Sequence, residues 1–290
     1  LDATFARQGF RVEGSAEGDV TTLADRIAHG LAATYANAEE WSLSVWVPDA
    51  DATRPFEPQA RELREQVLAR AQALHPDSAA KLRAAAELPA SACPLCQVAL
   101  LGPNHAVYGS VLTDVALSRA DAGRARMRVG ADRPSRATRK VEEALHWFGV
   151  APGPGELCVD LGAAPGGWSW ALLKRRARVI AVDPALLRPD IATHRGLTHV
   201  QDSAFRFAPD EPVDWLFCDM AWRPLEVAAL LEKWGRNRWA SFLVANLKLP
   251  MKRKAEMVER LRSVVGRGWE RVKARQLYHD REEITLIASR

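Results

Sequence analysis

Long apolar runs are missing from this chain. None approaches the roughly 20 consecutive apolar residues that a membrane-spanning helix needs, so no such helix is expected. No secretory-type leader is evident either, and the cytoplasm is the expected compartment. Cysteine is sparse: four in 290 residues fit a reducing compartment better than a disulfide-built fold. Cys93-Pro94-Leu95-Cys96 is a lone C-x-x-C without a second pair nearby, so no metal site is expected. Internal repeats and low-complexity tracts are also lacking, and Ala-rich stretches such as Ala84-Ala85-Ala86 read as ordinary helix. What is present is 48% apolar composition over 290 positions, material for two domains with separate cores.

Positive charge is short in the first part of the chain and abundant in the second. Residues 1–117 hold nine Lys/Arg against fifteen Asp/Glu, a net −6, whereas residues 118–290 carry +10. Much of the excess lies in Arg119, Arg124, Arg126, Arg128, Arg133, Arg136, Arg139 and Lys140, together with Lys252-Arg253-Lys254. Such a run next to a nucleotide-sized site points to phosphate contact. We therefore expect three segments: an amino-terminal domain over 1–117, a basic linker over 118–139 and a second domain over 140–290. In the first, helical patterns over 19–35 and 60–74 mix with strand patterns over 41–47, 96–101 and 106–112, which predicts an α+β module.

The most specific local pattern is Val159-Asp160-Leu161-Gly162-Ala163-Ala164-Pro165-Gly166-Gly167-Trp168, a strand running into a glycine-rich turn that opens a helix. Gly162, Gly166 and Gly167 permit positive φ and close backbone approach, and the helix start beyond offers unpaired N–H groups to a ligand. A dinucleotide loop would need a second glycine where Ala164 stands, and Pro165 stiffens the turn, which counts against a nicotinamide oxidoreductase. The pattern D-x-G-x-x-P-G-G-W, carried by Asp160, Gly162, Pro165, Gly166, Gly167 and Trp168, instead resembles the S-adenosylmethionine loop of FtsJ-like methyltransferases.

Beyond the loop, apolar β-branched runs alternate with helical stretches, and the runs over 178–183, 197–202 and 214–219 each close on an aspartate. In a parallel sheet covered by helices, the ligand crevice lies at the carboxyl ends of the strands, so Asp160, Asp183, Asp202 and Asp219 are expected on one rim. Asp183 suits ribose hydroxyls and Asp202 the adenine amino group. A further strand over 240–246 leads into Lys248, and a last hairpin over 271–276 and 283–288 would bring Glu283 to the same rim. Lys140 precedes an amphipathic helical run. The expected fold is α/β: a doubly wound, mostly parallel Rossmann-like sheet with one antiparallel strand near its end, preceded by the α+β module.

Two other methylation chemistries lack their signatures. Asp219-Met220-Ala221-Trp222 is a poor match to the Asn/Asp-Pro-Pro-aromatic loop of base amino methylation. Cys218 sits in an apolar strand outside the Pro-Cys setting of a cytosine C5 nucleophile, and reads as packing.

Longer stretches add to the loop: residues 133–144, Cys218-Asp219-Met220, Asn246-Leu247-Lys248-Leu249-Pro250-Met251-Lys252 and residues 274–283. Together they resemble the M-type ribosomal RNA large-subunit methyltransferases over residues 130–290. The resemblance implies S-adenosylmethionine as cofactor and methylation of the 2′-hydroxyl of a cytidine in 23S rRNA, before full subunit assembly. It places the family's Lys-Asp-Lys-Glu tetrad on Lys140, Asp219, Lys248 and Glu283. Lys248 would act as general base, Asp219 and Glu283 would position it, and Lys140 would hold the ribose or phosphate. Ala137 departs from the family, which has a serine there. By its place, the module over 1–117 resembles the family's THUMP RNA-binding domain; the resemblance implies a further ferredoxin-like domain ahead of it, and with Leu1 in place of Met the sequence is expected to be a fragment. The alternatives are a related 2′-O-methyltransferase with another RNA target, and a non-catalytic RNA-binding protein retaining the fold.

Overall fold

The computed structural model describes residues 3–89, 91–125, 127, 135 and 137–290. The described chain forms two units, one spanning Ala6–Arg126 and the other made by nearly all the rest. The expected boundary at 117 therefore falls short. Residues up to 125 pack with the first unit because Arg119 Nη1 donates to the Leu88 carbonyl (2.8 Å) and Arg124 Nη1 to Glu57 Oε1 (2.9 Å). Arg126, Arg128, Arg133 and Arg136 of the expected linker lie outside the described residues.

The first unit runs β1 (Arg11–Glu17), α1 (Val20–Tyr35), β2 (Ser42–Trp46), α2 (Glu57–Leu74), α3 (Pro76–Ala79), β3 (Pro94–Gly102) and β4 (His105–Leu112). Its four strands order as β1-β4-β3-β2, with β2 parallel to β3 and the other pairs antiparallel. Asp19 caps α1 by accepting from Thr22 N (2.8 Å), and the helix buries Leu23, Ile27, Leu31 and Tyr35 at the spacing of one face. The unit is α+β, as expected. Among the described residues, no helix is long and apolar enough to cross a membrane.

The second unit runs α4 (Thr138–Phe148), β5 (Leu157–Leu161), α5 (Gly167–Lys174), β6 (Arg178–Val182), α6 (Pro189–Ala192), β7 (Leu197–Val200), β8 (Val213–Cys218), α7 (Pro224–Arg236), β9 (Ala240–Lys248), α8 (Lys254–Val265), β10 (Arg271–Arg275) and β11 (Glu283–Ser289). Seven strands order as β10-β11-β9-β8-β5-β6-β7. Strands β5 to β9 are parallel neighbours, and β11 is antiparallel to both β9 and β10. This is the expected Rossmann-like sheet with one reversed strand. Leu161, Leu216, Phe217, Leu243 and Val244 are fully buried, as strands covered by helices on both faces require. Strand order reverses where β5 meets β8, the place at which open α/β sheets bind ligands.

Candidate active site

The glycine-rich turn leaves β5 at this switch point and enters α5 through Gly166, whose φ is +112°. Glycine is required there twice over: the backbone is left-handed, and a Cβ would come within 2.6 Å of Ile191 Cδ1. A Cβ on Gly162, at φ +76°, would come as close to Met220 Cγ, and one on Gly167 would meet Ser135 Oγ. Asp183, at the end of β6, braces the turn: Oδ2 accepts from Ala164 N (3.0 Å) and Oδ1 from Ala185 N (2.8 Å). A turn of bare backbone, a helix start and a carboxylate at the next strand end form a cradle whose donors and acceptor suit S-adenosylmethionine.

Three of the four strand-end aspartates gather close enough to sense one another's charge. Burial pushes the Asp160 carboxyl up to about 7, Ser169 opposes the shift, and Asp219 and Asp183 add to it. Asp160 lies under the rim rather than on it, 1% exposed, with Oδ2 accepting from Ser169 Oγ (2.7 Å). Asp202 is exposed and bound to Arg206, which holds its carboxyl below the usual range. Trp168 is turned inward: its indole is buried against Phe217 and donates to the Ala137 carbonyl (3.1 Å), so only its backbone is left for a ligand. Burial pushes the Cys218 thiol up to about 12, which removes it as a nucleophile near neutral pH.

Beside the cradle, four charged groups from four elements meet. Lys140 Nζ of α4 lies 2.5 Å from Glu283 Oε2 and 3.5 Å from Asp219 Oδ1, and Lys248 Nζ lies 3.7 Å from Glu283 Oε1. Backbone register makes this possible: Glu283 of β11 pairs directly with Lys248 of β9, and Asp219 follows β8, the next strand along. Burial pulls the Lys140 ammonium down, but Asp219 and Glu283 outweigh it and its pKa stands above the ordinary value. Burial raises the Asp219 carboxyl although Lys140 opposes it. Lys140 is thus a firmly held cation, whereas the Lys248 side chain is 54% exposed and makes one long ionic contact.

A cleft of about 740 Å³ opens over this network, lined by Arg139, Lys140, Lys248, Tyr278, His279 and Glu283 among others. Sequence reasoning assigned no role to several groups that shape it. Glu143, one turn beyond Lys140, is buried and accepts from the amides of Tyr278 (2.7 Å) and His279 (2.9 Å) and from His279 Nδ1 (2.7 Å). Behind Glu283, Asp280, Asn246 and Thr285 are buried together. Asn246 Nδ2 donates to Asp280 Oδ1 (3.2 Å), while the Thr285 hydroxyl lies 2.8 Å from Asp280 Oδ2 and 2.9 Å from Asn246 Oδ1. One hydroxyl proton cannot serve both oxygens. Leu277 N also donates to Asp280 Oδ2 (2.9 Å), and burial pushes the Asp280 carboxyl up to about 7 against the pull of these hydrogen bonds.

An FtsJ-like methyltransferase family model matches residues 133–271. A ribosomal RNA large subunit methyltransferase M of Xylella fastidiosa (strain M12) is 36% identical over 296 residues, covering 98% of this chain and 81% of that protein. The chain belongs to the ribosomal RNA large subunit methyltransferase M family. Family members from Halorhodospira halophila (strain DSM 244 / SL1) and Methylococcus capsulatus (strain ATCC 33009 / NCIMB 11132 / Bath) are 47% and 44% identical over 168 and 170 residues. Those matches cover 57% and 55% of this chain, and the chain spans about half the length of each relative, 50% and 48%. S-adenosylmethionine is the methyl donor of the family.

Proposed function

We propose that the protein methylates a ribose 2′-hydroxyl of large-subunit ribosomal RNA, on a cytidine and before full subunit assembly, in the cytoplasm. The observation that carries this reading is the ionic network in which Asp219 and Glu283 brace Lys140 and Glu283 reaches Lys248, beside the cofactor cradle. When bound, S-adenosylmethionine supplies a methyl already activated by its sulfonium. Alignment of the attacking oxygen is then the larger part of the task. Lys140, kept charged by its two carboxylates, holds the ribose oxygen or an adjacent phosphate. Lys248 takes the hydroxyl proton as the oxygen attacks, with Glu283 and Asp219 fixing where the lysines stand. Asp183 receives ribose hydroxyls of the cofactor, Asp202 its adenine amino group, and the backbone from Gly162 to Gly167 lies against it.

The first unit serves as a THUMP-like RNA-binding module. With its net −6 over residues 1–117, it contributes shape recognition more than phosphate neutralisation. The test is transfer of a radiolabelled methyl group to total RNA, followed by mapping of ribose-methylated positions. Label on a base, or no transfer by protein that binds the cofactor, would overturn the reading.

A further inference from the structure

His279 is the one histidine lining the cleft among the described residues, and it is held from two sides of its own structure. Its backbone N–H and its ring Nδ1 both reach Glu143 Oε2, at 2.9 and 2.7 Å, and the preceding amide of Tyr278 occupies Glu143 Oε1 at 2.7 Å. A carboxylate already receiving two amide hydrogens acts as an acceptor, so the hydrogen of the ring contact belongs to Nδ1. The other nitrogen, Nε2, is then the one left for a further partner in the cleft, where the His279 side chain is 14% exposed. Glu143 sits on α4 one turn beyond Lys140, so the helix that positions the ionic network also fixes this imidazole.

We infer that His279 contacts the target nucleotide through Nε2, with Glu143 setting its tautomer and ring orientation, as an additional group positioning the methyl acceptor in the cleft it shares with Lys140 and Lys248. The inference rests on the proposed function for the identity of the acceptor. It accounts for a feature the ionic network leaves unused: an oriented nitrogen that can hydrogen-bond a sugar hydroxyl or base edge.

Two variants separate nucleotide contact from a tether. In His279→Asn the side-chain amide stands near the place of Nδ1, keeping a donor for Glu143 and removing Nε2. In His279→Gln the amide reaches the place of Nε2 and gives up the tie to Glu143. Purified wild type and both variants would be compared for methyl transfer to RNA, cofactor affinity by calorimetry and thermal melting. The expected result is an Asn variant with wild-type melting and cofactor affinity but kcat/KM for RNA reduced about tenfold or more. The Gln variant is expected to recover part of that loss while melting lower. An Asn variant with wild-type kinetics would show that His279 only fastens the loop, and so would parallel loss of melting temperature, cofactor affinity and activity in both variants. Wild-type transfer to a base instead of a ribose would overturn the proposed function, and the variants would still report on His279 with that RNA.

Discussion

Asp160→Asn should leave the second unit about as stable as wild type only below about pH 4, more stable by about 1–2 kcal/mol at about pH 5, and more stable still at about pH 8.5. The wild-type carboxyl is 1% exposed, and its Oδ1 is buried without a hydrogen-bond partner among the described residues. Burial moves its pKa from 3.8 to about 7. An acid whose folded pKa is raised keeps a proton in the folded state that the unfolded chain has released, so stability falls as pH rises between those values. Above the folded pKa the whole penalty is present. At roughly 1.4 kcal/mol per pH unit it amounts to at most about 4 kcal/mol. The amide of Asn leaves one buried polar atom unpaired, costing about 1–3 kcal/mol, but the neutral acid does the same, so this cost cancels in the comparison. Urea melts followed by tryptophan fluorescence read the right unit, since of the ten tryptophans only Trp41 and Trp46 lie in the other. A difference between variant and wild type that stays flat with pH, or that turns against Asn as pH rises, would refute the argument.

Gly166→Val should abolish S-adenosylmethionine binding in calorimetry while the first unit stays folded by circular dichroism, because φ +112° and the nearby Ile191 leave no room for a Cβ. Lys248→Ala should remove nearly all methyl transfer with cofactor affinity unchanged; parallel loss of both would make Lys248 structural. Arg124→Ala should lower the melting temperature of the first unit, by about 1 kcal/mol of stability, because the guanidinium bonds Glu57 and the Val47 carbonyl. The salt dependence of RNA binding should not change in that variant, and a flatter slope would return Arg124 to the phosphate-contacting set.

The second unit was legible in the sequence because its strands are continuous apolar runs punctuated by aspartate and glycine, each a consequence of a buried parallel sheet with its ligand at one edge. The first unit was legible only in part. Its strand β1 reads Arg-Val-Glu-Gly-Ser-Ala-Glu and buries only Ala16, so it carries no alternation to detect and is held in place by pairing with β4. The tetrad residues could be named, but their partners could not. Glu143 and His279 are 136 positions apart, and nothing local in either segment announces the contact. Trp168 shows the opposite error, since a residue at the mouth of a cofactor loop pattern is in fact a core side chain. The domain boundary was set by charge, whereas the fold sets it by where Arg119 and Arg124 find acceptors.

Strand β11 comes last in chain order, yet it lies inside the sheet, between β10 and β9. Until it inserts, β9 has an open edge, β10 has no neighbour, and Lys140 and Lys248 lack the carboxylate they share. A chain broken off before residue 283 retains the cofactor turn, which depends on β5, α5 and β6, but has no assembled acceptor side. On the proposed function, the acceptor side is therefore completed only by the last strand to be synthesised, after the cofactor side is already in place.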